Sequence, residues 1–476
     1  MQILFYCIEE NDFGSLFCSL RMEVVLKIIE VAKDSNVIHP FSFSHDPLDY
    51  ETTKTERRNL IHYNNLRKLW NEMVDCFPLC IVQPRTANAL QPILHFLSTN
   101  NIETTIKGGG HNVAGLALKT GAVQIDLSLL NNVELDLHVK VGGGSKWRTV
   151  DALTSRTLCN QIQQSRYVPA GLISHTGVGG LALGGGLGWL SRTCGLTVDS
   201  LEEAELWLAN GKRVVANDEN NAELLWALRG GGGNFGVVSC FRFRTHLIPY
   251  VHCIVASYSI GSLMNDIKVG NEHATSGRET LQRFFTVYFE HAITASKQST
   301  IYLFALNSSI SLMHVIVPPL LRSEKGDEIV DEQTMNQLIS DSTHHFTNDY
   351  PIQLSNELIS NQMPLSELNS TYDQANQGHP IYWSKSTLFA PEQTNQNNEL
   401  NHSFDQPFNR FIDLLIDVLI ASTEGARSPT IEIVHVGGEI NRISPTETAY
   451  FNRGFHFEVH SIVTLPNLIE LCYLNE

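Results

Sequence analysis

The chain has 476 residues, 42% of them hydrophobic and 17% charged, a composition that excludes the disordered and fibrous classes. Its 33 Lys and Arg against 50 Asp and Glu give a formal charge of −17, which excludes sequence-independent binding to nucleic acid or to anionic membranes, both of which need clustered positive charge. A small-molecule partner is the expectation. The length suits two or three domains at ~100–200 residues each.

Nine cysteines are scattered without the paired spacing of a zinc site or a disulfide framework, so reduced thiols and no metal are expected. The opening "MQILFYCIEENDF" lacks a basic lead and meets Glu9, Glu10 and Asp12 too early for a signal peptide. No run reaches the ~18 apolar residues of a membrane span. The cytoplasm is the default compartment, and the sequons at Asn307, Asn369 and Asn401 are read as chance matches.

In chain order, "MEVVLKIIEVAK" has helical apolar spacing and the polar stretch after it reads as an irregular lead-in, so residues 1–74 are set apart. "CIVQP" is a strand stopped by Pro84, and "TANALQPILHFLSTNN" is a helix with Leu90, Ile93, Leu94 and Leu97 on one face. "ETTIKGGGH" is a strand that runs into three glycines and a histidine. "AVQIDLS" and "NVELDLHVKVGGG" follow as strands, the second with Val133, Leu135, Leu137, Val139 and Val141 in strict alternation. Ser145 is a candidate N-cap for the helix "SKWRTVDALTSRT". A second glycine-rich region, "GLISHTGVGGLALGGGLGWLSRTCGLTVD", precedes two strands around Asn210-Gly211, a hairpin signal. A helix then closes on Gly230–Gly233, and "FGVVSCFRFRTHLI" returns as a strand.

Beyond Pro249 the chain turns polar, with strand-like "STIYLFALN", "SLMHVIVPP", "TIEIVHVGGEI" and "FHFEVHSIVTLP" around a long surface loop, "APEQTNQNNELNHSFDQP". An antiparallel sheet with helices on one face is expected.

Glycine loops expose backbone N–H groups that converge on phosphate oxygens, and two of them suit a ligand with an extended diphosphate. "GVGGLA", Gly177 to Ala182, formally matches the dinucleotide fingerprint, with Asp199 near the expected spacing for a ribose contact. Its context fails, because "VPAGLISH" is no apolar first strand.

The segments "IKGGGHNVAG", "IDLSLLNNVELD", "TGVGGLALGGGLGWLSRTCGLTVDSL", "LLWALRGGGGNFGVV", "IYWSK" and "IEIVHVGGEINR" resemble the FAD-linked oxidases of the berberine bridge enzyme and 6-hydroxynicotine oxidase group. The resemblance implies the vanillyl alcohol oxidase and p-cresol methylhydroxylase-type fold. That is an α+β chain, with a two-subdomain FAD-binding domain at 75–250 and a substrate domain at 251–476 whose antiparallel sheet is covered by helices. It implies FAD held by Lys107, Gly108, Gly109, Gly110, Asn112 and Gly115 of the first loop. The second run adds Thr176, Gly177, Val178, Gly180, Gly184, Gly185, Gly186 and Gly188, and a later strand adds Gly236 and Val238. His111 matches the histidine that bonds the flavin 8α-methyl. Ile173 stands where some relatives place a second, cysteinyl attachment, so a single histidyl linkage is implied. Lys107 replaces a common arginine.

The implied reaction is oxidation of a small organic alcohol, sugar or amine by hydride transfer to flavin N5, with molecular oxygen as acceptor and hydrogen peroxide as product. His460 falls where related enzymes place a catalytic group, and Glu458 shares its strand face; Glu439, Arg442, Tyr382 and Lys385 are further candidates for the cavity wall. Val178 is of a size compatible with oxygen access. The family's terminal segment over the cofactor has no match before Glu476, which leaves a noncatalytic flavin-binding relic as an alternative. An NAD(P)-dependent dehydrogenase through "GVGGLA" is the other.

Overall fold

The computed structural model describes residues 12–39, 59–136, 138–155, 158–159, 162–163, 165–270, 272–306, 308–322, 328–375, 381–389, 406–421 and 430–465, with the backbone alone for 12–20, 158–159, 162–163, 268, 322, 328, 372, 374–375, 381–389, 406–407, 421 and 461–465. The chain divides into two compact units. One takes residues 1–150, 175–184 and 201–244, and the other takes 151–174, 185–200 and 245–476. Two short segments ahead of residue 250 therefore group with the C-terminal part.

In the first unit a four-stranded sheet runs in the order Ser35–Ile38, Cys80–Pro84, Val123–Asp126, Thr104–Lys107. The last three are parallel. Cys80–Pro84 is buried along its whole length, and its one polar side chain, Gln83, is satisfied by donating to Ser128 Oγ at 3.0 Å. The helix Leu90–Thr99 turns Leu90, Ile93, Leu94 and Leu97 inward, the stripe its spacing predicts, and Val25 and Ile28 of the helix Asp12–Val31 join the same core. Strand, helix and strand follow as expected, but Val123–Asp126 lies between the two strands that the helix connects.

The second sheet of this unit runs Arg213–Asn217, Leu201–Trp207, Val237–Phe243, Val139–Gly142, Val133–Leu135. The Asn210-Gly211 hairpin forms: Gly211 has φ +81°, and the Asn210 side chain accepts from Lys212 N at 3.0 Å. The alternating stretch 133–141 is two strands of a hairpin and not one strand, with Val133 opposite Val141 and Leu135 opposite Val139. The turn is closed by Asp136, whose carboxylate accepts from His138 N at 2.7 Å. Paired residues of an antiparallel hairpin share a face, so the alternation survives the reversal and conceals it.

The second unit is built on a seven-stranded antiparallel sheet in the order Ile359–Met363, Val251–Ser259, Ser309–Ile316, Ser299–Ala305, Thr430–His435, Phe457–Leu465, Ile381–Phe389. One face is packed by helices. The helix Ala274–Thr294 alone contributes Leu281, Phe284, Phe285, Tyr288 and Phe289, each worth roughly 1.5–3 kcal/mol of burial, against Leu303, Ile433, Phe457 and Val459 of the strands. The opposite face carries Tyr302, Phe304 and Val434, packed with Trp189 and Leu190. Among the described residues Cys76, Cys80, Cys240 and Cys253 are free thiols, and no helix is long and apolar enough to cross a membrane.

Candidate functional site

The first glycine loop follows directly from the strand Thr104–Lys107. Lys107 does not reach out of it: its ammonium donates to Leu66 O and lies 3.6 Å from the buried Asp126 carboxylate. Those contacts anchor the base of the loop. Gly109 meets the second loop so closely that an added Cβ would sit 2.3 Å from Gly177 N, and a Cβ on Gly177 would sit 2.2 Å from Gly109 N. Both glycines are thus required by contact of backbone with backbone. Gly110 and Gly115 are required for a different reason, a φ of +72° at each. Asn112 stays within the loop, its side chain accepting from Leu116 N at 3.1 Å.

The second loop is held by the residues before the helix Trp147–Thr154. Trp147 N donates to Thr176 O at 3.1 Å, and Val178 N donates to Ser145 O at 2.9 Å. The Ser145 hydroxyl caps nothing; it is buried, with no partner among the described residues. Val178 is fully buried at the start of the short helix Val178–Leu183, whereas nothing lies within 4 Å of a Cβ built on Gly180. Val238 is buried behind Gly143, and Gly236 has φ +151°. Gly184 ends the short helix.

His111 leaves this cradle half-buried between two rings. Trp70 stacks on it at a centroid distance of 5.5 Å and an interplanar angle of 20°. His175 lies on it at 4.7 Å, with its Nδ1 2.8 Å from His111 Nε2. Trp70 is itself fixed by its backbone amide, which donates to Gly110 O at 3.0 Å, and the Asn71 side chain donates to Val113 O at 2.8 Å. Residues 66–71, part of the lead-in by sequence, therefore wall the loop. Nothing local in "LRKLWN" signals that role.

Gly185, Gly186 and Gly188 belong to the second unit, where a Cβ on Gly185 would strike the Tyr450 ring at 2.7 Å and one on Gly188 would strike Ala170 O at 1.8 Å. Burial pushes the Tyr450 phenol up to about 12, and the nearby Glu458 carboxylate adds to that shift. Tyr450 thus connects the glycine run to the polar sheet face. On that face Glu458 Oε1 and His460 Nε2 are 3.6 Å apart, as strand alternation predicts, while Phe457 and Val459 enter the helix-covered core. Directly across the ladder from His460 stands Glu432, and Val434 stands opposite Glu458. Burial raises the Glu432 carboxyl to about 7, well above the usual carboxylate range. The sequence reading missed Glu432, because only the strand register gives it His460 as a neighbour.

Glu439 and Arg442 pair with each other on one short helix, Arg442 Nε to Glu439 Oε1 at 2.7 Å. The side chains of Tyr382 and Lys385 lie outside the described residues. Asp199 is taken up by Arg453 in a buried two-bond pair at 2.6 and 3.2 Å, and it also accepts from Leu196 N. It has no carboxylate face left for a ribose. No strand leads into Gly177, so the dinucleotide fingerprint of "GVGGLA" fails on both counts.

The family described as FAD binding domain matches residues 78–217. Over 216 residues the chain is 33% identical to an FAD-linked oxidoreductase of Dictyostelium discoideum, a match that takes in 44% of this chain and 46% of that protein. The chain thus spans under half the length of this curated relative. Among solved structures, berberine bridge enzyme-like 1 of Physcomitrella patens superposes with a TM-score of 0.70 at 18% identity, covering 95% of this chain and 87% of that one. A glucooligosaccharide oxidase of Acremonium strictum with 6-S-cysteinyl, 8α-N1-histidyl FAD gives 0.69 at 19% identity, covering 95% and 83%. Residues 78–217 thus match the FAD binding domain family, in a chain that resembles the FAD-linked oxidoreductases of the berberine bridge enzyme group in sequence over under half its length and has the fold of the solved berberine bridge enzyme-like structure.

Proposed function

We propose that this protein is an FAD-linked oxidase with the flavin attached through His111 alone, acting on an alcohol carbon of a small molecule, a sugar or oligosaccharide first among them. The observation that carries the reading is the position of His111, at the lip of a cradle of touching glycine loops and clamped between Trp70 and His175. The residues present fit the cofactor. Gly180 leaves open space at a helix start, and the Ser145 hydroxyl is buried and unpartnered among the described residues, a donor beside the second loop. Ile173 offers no sulfur for a second bond, unlike the cysteinyl attachment of the glucooligosaccharide oxidase.

FAD, when bound, accepts a hydride from the substrate carbon and passes the electron pair to molecular oxygen. The chain's own task is to remove the hydroxyl proton. Glu432 is suited to that task because burial holds its carboxyl near 7, so a modest rise in pH converts it to a base. His460, paired across the ladder, and Glu458, two residues before it, receive or balance that proton. The carbohydrate assignment draws on the relatives, which include xylooligosaccharide and glucooligosaccharide oxidases. Anaerobic mixing with a series of sugars, from glucose to oligosaccharides, tests it. Bleaching of the flavin band by at least one sugar, followed by peroxide release on admitting air, is the expected result. Failure of every sugar while a small aromatic or aliphatic alcohol bleaches the band would move the substrate class.

A further inference from the structure

We infer that the second unit carries a separate binding site for a small oxyanion, of phosphate or carboxylate type, in a cavity lined by Arg166, His246 and Lys297. The cavity has a volume of about 280 Å³ and is walled by five chain segments. Ligand pockets run ~300–1,000 Å³, so this one has room for a phosphate or a small carboxylate and not for an oligosaccharide. Among the described residues its lining includes an arginine, a lysine and a histidine, and no Asp or Glu, in a chain whose formal charge is −17. Among the described residues neither Arg166 nor Lys297 pairs with a carboxylate.

The walls are set before any ligand arrives. Arg166 donates through Nε to Thr245 Oγ1 at 2.9 Å and through Nη2 to Thr245 O at 3.0 Å, which fixes the plane of its fork. The turn that carries Lys297 is held by the buried Arg192, whose guanidinium donates to Ser299 O, Ala295 O and Ser296 O, and Thr193 Oγ1 donates to Lys297 O at 3.0 Å. Val317 N closes the far side on Gln298 O at 2.8 Å, ahead of Pro318 and Pro319. A fixed guanidinium and a flexible ammonium facing one small space suit a tetrahedral or planar oxyanion, which the fork engages through paired N–H groups. Against the chain's overall negative field the binding must be local, and it must weaken with salt.

The test is calorimetric titration of inorganic phosphate into the protein as purified, at constant ionic strength maintained with chloride, with acetate as a second titrant. Lys297→Glu reverses an exposed charge and leaves the packing alone; Arg166→Gln removes the fork. Saturable phosphate binding is expected, weakened about tenfold or more in each variant with the thermal midpoint of Lys297→Glu unchanged. Saturable binding by acetate as well as phosphate is also expected, and the tighter of the two identifies the ligand type. Absence of saturable binding by either anion overturns the proposal. So does binding that Lys297→Glu leaves within about twofold of the parent, because the ion then sits elsewhere, the glycine loops included.

Discussion

His175 Nδ1 lies 2.8 Å from His111 Nε2, so one imidazole fixes the rotation of the other and shares a proton with it. A histidine that bonds a flavin carbon must lose a proton, and His175 is placed to accept it. His175→Ala is expected to slow covalent attachment by about 10²-fold while FAD still binds, read as the fraction of flavin retained by denatured protein over time after reconstitution. Attachment at the parent rate would show that His175 only packs.

Glu432→Gln is expected to slow flavin reduction by roughly 10²–10⁴-fold without changing the flavin spectrum. The pH dependence follows from the raised carboxyl: the base is the ionised form, so in the parent the reduction rate climbs with pH through about 7 and then levels. Stopped-flow reduction across pH should show that limb in the parent and lose it in Glu432→Gln. His460→Ala should fall in the same range. A loss under about threefold in both variants would place the proton acceptor elsewhere.

The Arg453 and Asp199 pair is buried at 1% and 2% side-chain exposure and spans two distant parts of the chain. Removing one partner strands the other charge, at a cost of about 3–5 kcal/mol. Arg453→Met should lower the urea midpoint accordingly and disturb Tyr450, which the guanidinium approaches at 5.6 Å. A change under ~1 kcal/mol would mean that water reaches the pair.

Two sets of buried groups drive stability in opposite directions with pH. Burial lowers His291 to about 3 and holds His314 and His435 well below their ordinary value. Below about 6.5 the unfolded chain takes up protons that the fold refuses, so their contribution is lost as pH falls from there toward 3. Asp151 is raised to about 7 by burial, although Asn369 donates to it at 3.0 Å. Its contribution is intact below about 4 and is lost as pH rises through 7. Asp151→Asn is therefore expected to raise the melting temperature by several degrees at pH 8 and to leave it nearly unchanged at pH 4. An equal shift at both pH values would refute the charge argument.

The glycine loops, the Asn210-Gly211 hairpin and the shared strand face of Glu458 and His460 were legible because each is a local pattern: backbone freedom, turn chemistry or period-two alternation; His111 was singled out by the family resemblance. Trp70, Glu432, Tyr450 and the Arg453 and Asp199 pair were not. Each gains its role from a neighbour far away in sequence, and the 133–141 hairpin was hidden because the reversal keeps the alternation. Asp199 shows the converse, a residue whose spacing suggested ribose and whose carboxylate the fold uses internally.

The covalent bond at His111 is the claim on which the rest depends, and acid precipitation tests it most directly. Purified protein is denatured in acid, and flavin is measured in pellet and supernatant for the parent and for His111→Ala. The account predicts flavin colour in the parent pellet and all extractable flavin in the His111→Ala supernatant. Flavin retained in the His111→Ala pellet, or fully extracted from the parent, would contradict it.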